Sequence, residues 1–96
     1  MRPSEVIRSR REEILRMVES HRACNARVFG SVLNGRDRED SDLDLLVDTL
    51  PGATLFDLGG LQIELEEFLR LSIDILTPGD LPPAFRDEVL AAAVPI

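Results

Sequence analysis

Three aspartates and one Gly-Ser pair are the residues of this chain whose types and spacing could do chemistry: Asp42-Leu43-Asp44, Asp74, and Gly30-Ser31. On a β-strand, residues two apart point to the same face at a separation of roughly 6.5–7 Å. Asp42 and Asp44 would therefore project together while Leu43, Leu45 and Val47 point into the core. Neighbouring carboxylates repel and do nothing for folding. A hard cation such as Mg²⁺ removes that penalty, because it takes a few carboxylates together with phosphate oxygens and water. Asp74 stands between Ile73 and Ile75; if those two face the core, Asp74 joins the side shared by the other acids. Three acids on adjacent strands suit a two-metal centre for in-line displacement at phosphorus, with Asp74 as either a ligand or a base.

Gly30-Ser31 supplies the complementary half. Glycine at the end of a strand lets the backbone approach a ligand closely. Ser31 would open a short helix, where a hydroxyl and backbone amides can hold a phosphate at the positive helix end. The spacer from Val32 to Ser41 returns the chain to a neighbouring strand and would bring phosphate holder and metal ligands together. Arg36 and Arg38 lie in that spacer, placed to offset triphosphate charge or to be solvated loop residues. A lone Asp-x-Asp says little; Gly-Ser upstream and Asp74 on a later apolar strand make the pattern specific. An EF-hand across Asp37 to Asp48 is excluded by the missing glycine at its sixth position and glutamate at its twelfth. Asp37, Glu39 and Asp40 are then a solvated loop.

The elements that must position these residues follow from periodicity. Ser4 is placed as an N-cap with Glu5 in the first turn, and Ile7, Ile14, Leu15 and Val18 recur at helical spacing, predicting one helix over 4–21. Ala26 to Phe29 reads as a short strand stopped by Gly30, and Asp42 to Asp48 as a second, ended by Pro51-Gly52. Leu46 continues the acidic face and should pack under a helix or a partner. Thr54 and Asp57 make a capping box before a helix near 55–70 carrying Leu58, Leu61, Leu65, Phe68 and Leu69. Ser72 to Leu76 is a further strand, Pro78, Gly79, Pro82 and Pro83 a loop, and Ala84 to Ala92 a closing helix. The fold class is α/β or α+β, a small sheet of three to four strands packed with helices. Phe29, Phe56, Phe68 and Phe85 are expected in the core rather than as base-stacking platforms.

The chain of 96 residues is expected to form a single domain, 1–96. No apolar run approaches the roughly 18 residues needed to cross a bilayer, and the charged start has no signal-peptide core, so the expected location is cytoplasmic. Cys24 is the only cysteine; with His21 it is assigned to an ordinary turn and not to a metal site. Residues 1–38 hold nine arginines against five acids, and residues 39–96 two arginines against thirteen. The net charge of −7 argues against a broad nucleic-acid surface, which needs a continuous basic stripe. Acids concentrated after residue 38 suit divalent cations or a basic protein partner.

The stretch Arg27-Val28-Phe29-Gly30-Ser31 through Asp42-Leu43-Asp44-Leu45-Leu46-Val47-Asp48 resembles the minimal nucleotidyltransferases of the polymerase-beta-like superfamily. The likeness continues through Leu55-Phe56-Asp57-Leu58, Ile73-Asp74-Ile75-Leu76-Thr77 and Val89 to Pro95, and it points to the MntA group, the antitoxins of HEPN–MNT toxin–antitoxin pairs. The resemblance implies Mg²⁺ and ATP, with Asp42, Asp44 and Asp74 at the metal and Gly30 and Ser31 at the phosphates. It further implies transfer of AMP to a tyrosine of a HEPN-domain ribonuclease, which silences it. Where the family often has Ala-Arg, this chain reads Leu33-Asn34 before Gly35. Asn34 can donate a hydrogen bond to the nucleotide but no charge, leaving Arg36 or Arg38 to supply it. Two alternatives remain open: an antitoxin that neutralises by binding alone, and a nucleotidyltransferase with another acceptor.

Overall fold

The computed structural model describes residues 2–30, 38 and 42–96. The order of elements is α1 (Pro3–Ser9), α2 (Arg11–Ser20), β1 (Ala23–Phe29), β2 (Leu43–Thr49), α3 (Leu55–Leu69), β3 (Ile73–Leu76), a 3-10 turn (Pro78–Asp80), α4 (Pro83–Ala92) and β4 (Val94–Pro95). The four strands form one mixed sheet in the order β3-β2-β1-β4. β1 runs antiparallel to β2 and to β4, while β2 and β3 are parallel and joined through α3. This is the small mixed α/β sheet expected from the sequence, with the fourth strand supplied by the last residues.

Alternation along β2 divides the molecule. Leu43, Leu45 and Val47 are fully buried in one cluster with Ile14 and Val18 of α2, Leu61 and Leu65 of α3, and Ile73 of β3. Removing a Leu or Ile side chain of this size from water stabilises by about 1.5–3 kcal/mol, so this face fixes which way β2 sits. Asp44, Leu46 and Asp48 must then face the other side. Leu46 is as fully buried as its neighbours yet lies outside the main cluster. The 3-10 turn packs against β2, and Leu81 just after it is buried as well.

The capping box forms as the sequence dictates: Asp57 N–H donates to Thr54 Oγ1 at 3.4 Å, and Thr54 N–H to Asp57 Oδ2 at 2.8 Å. Helix α3 ends on Arg70, whose φ of 60° is left-handed. The expected single helix over 4–21 is instead two. The chain breaks at Arg10, where φ is −118° and ψ 22°; residues 8–13 contain no apolar side chain to hold a straight helix on the core, and Ser9 Oγ donates to Val6 O at 3.3 Å. Ser4 is not the N-cap either. Arg2 takes that position, Pro3 is the first helical residue, and Glu5 Oε1 accepts from Arg2 N–H at 3.2 Å.

Two further expectations are corrected. Cys24 lies in β1 rather than in a turn; His21 does cap α2, and its Nε2 stands 3.1 Å from Glu64 of α3. The phenylalanines are not all core: Phe56 is 91% exposed, Phe85 and Phe68 are also exposed, and Phe29 is half-buried. Phe68 instead lies beneath the Arg10 guanidinium, 5.7 Å from ring centroid to carbon. Among the described residues, no helix is long and apolar enough to cross a membrane.

Candidate active site

The carboxylate cluster is built by strand register. Asp44 of β2 and Asp74 of β3 are paired residues on adjacent parallel strands, so their side chains leave the sheet on the same face. Leu43 and Ile73 are the preceding pair and both are buried on the opposite face. Asp42 precedes β2 and is exposed. Two bonds fix the start of these strands: Leu43 N–H donates to Ser72 O at 2.9 Å, and Ile73 N–H to Glu66 Oε2 at 3.0 Å.

Glu66 was not singled out in the sequence. A carboxylate near the C-terminal end of a helix opposes the helix dipole, and that mismatch is the signal that could have marked it. Its bond to Ile73 N–H holds the strand that carries Asp74, one residue before the aspartate itself.

The electrostatics are those of acids facing acids. Burial raises the Asp44 carboxyl above the usual aspartate range, and the charges of Asp74 and then Asp42 raise it further, as does a hydrogen bond to Asp74. Asp48, two turns of the alternation further along, is treated differently. Arg27 Nη2 donates to its Oδ1 at 2.7 Å and Asn25 Nδ2 to its Oδ2 at 2.9 Å. The fold thus pairs one acid of β2 with a guanidinium and an amide and leaves another in a negative field, which marks Asp44 as the acid arranged for something other than folding.

Gly30 terminates β1 with φ of 79°, across from this cluster, since Phe29 is the register partner of Asp44. A β-carbon on Gly30 would stand 2.7 Å from Asp44 Oδ2. Its lack of a side chain therefore makes room for a protein carboxylate. Ser31, Asn34 and Arg36 lie outside the described residues, and Arg38 is described as exposed.

An all-oxygen donor set under mutual repulsion fits a hard divalent cation. Among the described residues, no three side chains form a ready-made ligand group; Asp44 and Asp74 form the close pair, with Asp42 acting on Asp44 from the start of the strand. An open pair suits Mg²⁺, which keeps waters and takes substrate phosphates as its other ligands.

Comparison with known proteins agrees with this architecture. Residues 12–96 match the family described as "Polymerase beta, Nucleotidyltransferase". The chain is 35% identical over 86 residues to "Putative protein adenylyltransferase MJ0435" of Methanocaldococcus jannaschii, covering 90% of this chain and 92% of that one. It is 36% identical over 67 residues to "Protein adenylyltransferase MntA" of Thermococcus cleftensis, covering 70% and 68%. Among solved structures, the one described as "Structure of putative minimal nucleotidyltransferase" superposes with a TM-score of 0.86 at 45% identity, over 97% of this chain and 95% of that chain. A second, "Crystal structure of the toxin-antitoxin with AMP-PNP", shares the fold with a TM-score of 0.73 at 16% identity, over 88% and 69%. The chain belongs to the polymerase beta nucleotidyltransferase family and is an enzyme of its minimal, adenylyltransferase-like branch.

Proposed function

We propose that this enzyme transfers AMP from ATP to a tyrosine hydroxyl of a HEPN-domain toxin, with Mg²⁺ as cofactor, and so acts as the antitoxin of that protein. The observation that carries the reading is the Asp44–Asp74 register pair beside Asp42, in which burial, and then the charges of Asp74 and Asp42, raise the Asp44 carboxyl. Asp42, Asp44 and Asp74 are the residues that would hold Mg²⁺, which supplies charge neutralisation at the triphosphate and at the attacking oxygen. Gly30 leaves room for the Asp44 carboxylate, and Ser31, Asn34 and Arg36 are assigned to the nucleotide on the sequence alone. Asp74, the register partner of Asp44 on β3, either shares in holding the metal or takes the hydroxyl proton. Attack at the α-phosphorus joins the tyrosine oxygen to AMP and releases pyrophosphate.

The acidic balance of the chain, −7, supports a basic ribonuclease partner. The names of the relatives support a protein acceptor. The reading takes residues 1–96 as one catalytic unit working in the cytoplasm. Its test is incubation with labelled ATP, Mg²⁺ and the protein encoded beside it. Label should appear on a tyrosine of that partner and vanish with Asp44→Asn while circular dichroism stays unchanged. Toxin neutralisation that survives Asp42→Asn combined with Asp44→Asn would instead establish occlusion without chemistry.

A further inference from the structure

Helix α3 leaves large apolar side chains exposed on the side turned away from the core. Leu61, Leu65 and Leu69 bury one face, and 3.6 residues per turn put Phe56 and Ile63 diametrically opposite. Phe56 is 91% exposed and Ile63 59%, with Leu55 alongside at 85%. Gly59 lies between them, and a β-carbon there would meet nothing within 4 Å, so the ridge carries a notch open to close approach. Large apolar side chains exposed together commonly mark a contact surface. Glu67 shares this face and Glu64 flanks it, paired with His21 Nε2 at 3.1 Å; α3 itself contains no basic residue.

An apolar groove edged by opposite charge exists on the same molecule. Between α1 and β4 a groove of about 430 Å³ opens, with Ile7, Val94 and Ile96 along it and Arg8 and Arg11 at its edge. It is the basic, N-terminal part of the chain that forms this rim, whereas the ridge belongs to the acidic part.

We propose that the groove receives the α3 ridge of a second copy, so that molecules associate head to tail. Pairing of two α3 ridges with each other is disfavoured, because it sets the Glu67 carboxylates of both copies together on the shared face. In the head-to-tail arrangement Arg8 and Arg11 meet those acids while Phe56 and Ile63 fill the groove. A contact of this kind uses a different patch on each copy, and it closes into a ring or continues as a chain. It lies on the helical side of the sheet, away from the Asp44 face, and does not depend on which acceptor the enzyme uses.

Sedimentation velocity on the purified chain tests the proposal with two variants, each altered only at exposed positions. Phe56→Asp/Ile63→Asp destroys the ridge and leaves the groove; Arg8→Glu/Arg11→Glu does the reverse. The wild type should grow in mass with protein concentration and return toward one chain in high salt. Each variant alone should remain a single chain. Their equimolar mixture should form particles of two chains and no larger, since only one junction is left. Melting curves check that both variants fold, with Phe56→Ser and Arg8→Ser as milder replacements. A wild type that stays a single chain at every concentration overturns the proposal, and so does a mixture that fails to associate. Assembly by the Arg8→Glu/Arg11→Glu variant alone would also overturn it, in favour of ridge-to-ridge pairing.

Discussion

Gly30 and Asp44 are fitted to each other: the place a β-carbon would take on Gly30 is 2.7 Å from Asp44 Oδ2. Gly30 also has a φ of 79°, where an L-residue is strained by about 1–2 kcal/mol. Gly30→Ala should therefore both weaken the fold by about that amount and displace the Asp44 carboxylate. We expect a fall in urea midpoint together with a large loss of adenylylation. Wild-type activity in a stable Gly30→Ala protein would mean that the Asp44 position is not used in the chemistry.

The raised Asp44 carboxyl sets a pH dependence whose sign can be worked out. The folded chain holds a proton on Asp44 over a window beginning in the ordinary aspartate range and ending above it, where the unfolded chain has already lost it. Stability without divalent cations is thus full below that window and falls as pH rises through it. Mg²⁺ favours the charged form, so its stabilising effect should grow across the same window. Asp44→Asn should raise the metal-free melting temperature at neutral pH by a few degrees and abolish the response to Mg²⁺. Thermal melts with and without Mg²⁺ on either side of the window check both; equal Mg²⁺ effects at both pH values would refute the assignment.

Much of this site was legible because strand alternation is rigid. Ile73 and Ile75 flanking Asp74, and Leu43 and Leu45 flanking Asp44, permit only one face for the acids once the leucines and isoleucines are buried. The α3 capping box was readable for the same local reason. The parts that were not readable depend on distant contacts. Phe56 is different: expected in the core as an aromatic, it is already placed on the opposite face by the period of Leu58, Leu61 and Leu65 in its own helix. Glu66 looks like surface charge until Ile73 N–H is brought to it from beyond the helix end. The break at Arg10 arises from what residues 8–13 lack, and periodicity from Ile7 to Ile14 runs straight across it.

Arg27 is predicted to act through the backbone of β1 as much as through charge. Its side chain is only 12% exposed; Nη2 reaches Asp48 Oδ1 at 2.7 Å and Nε donates to Asn25 O at 2.9 Å. Asn25 has a φ of 52° and sits where the β1–β2 register shifts, so this fork clamps a bulge. Arg27→Ala should cost about 1.5–3 kcal/mol, the range for hydrogen bonds to charged groups. Arg27→Lys should recover little, because one ammonium cannot serve both acceptors in the same plane. Urea denaturation of the two variants checks this, and near-equal stability of Lys and Arg at position 27 would refute it.

Arg70 offers a change in the opposite direction. It closes α3 with φ 60° and ψ 40°, the left-handed conformation that glycine adopts without strain. Its N–H donates to Glu66 O at 2.9 Å, a backbone bond that any residue keeps. Glycine relieves the strain of about 1–2 kcal/mol but adds freedom to the unfolded chain, which offsets part of the gain. Arg70→Gly should therefore raise the melting temperature by a few degrees. The next residues, Leu71 and Ser72, lead directly into β3, so a helix that stops more firmly should hold Ile73 on Glu66 at least as well. Adenylylation at a fixed Mg²⁺ concentration should be unchanged or slightly higher at elevated temperature. A lower melting temperature would show that the arginine side chain, exposed as it is, contributes more than its backbone strain costs.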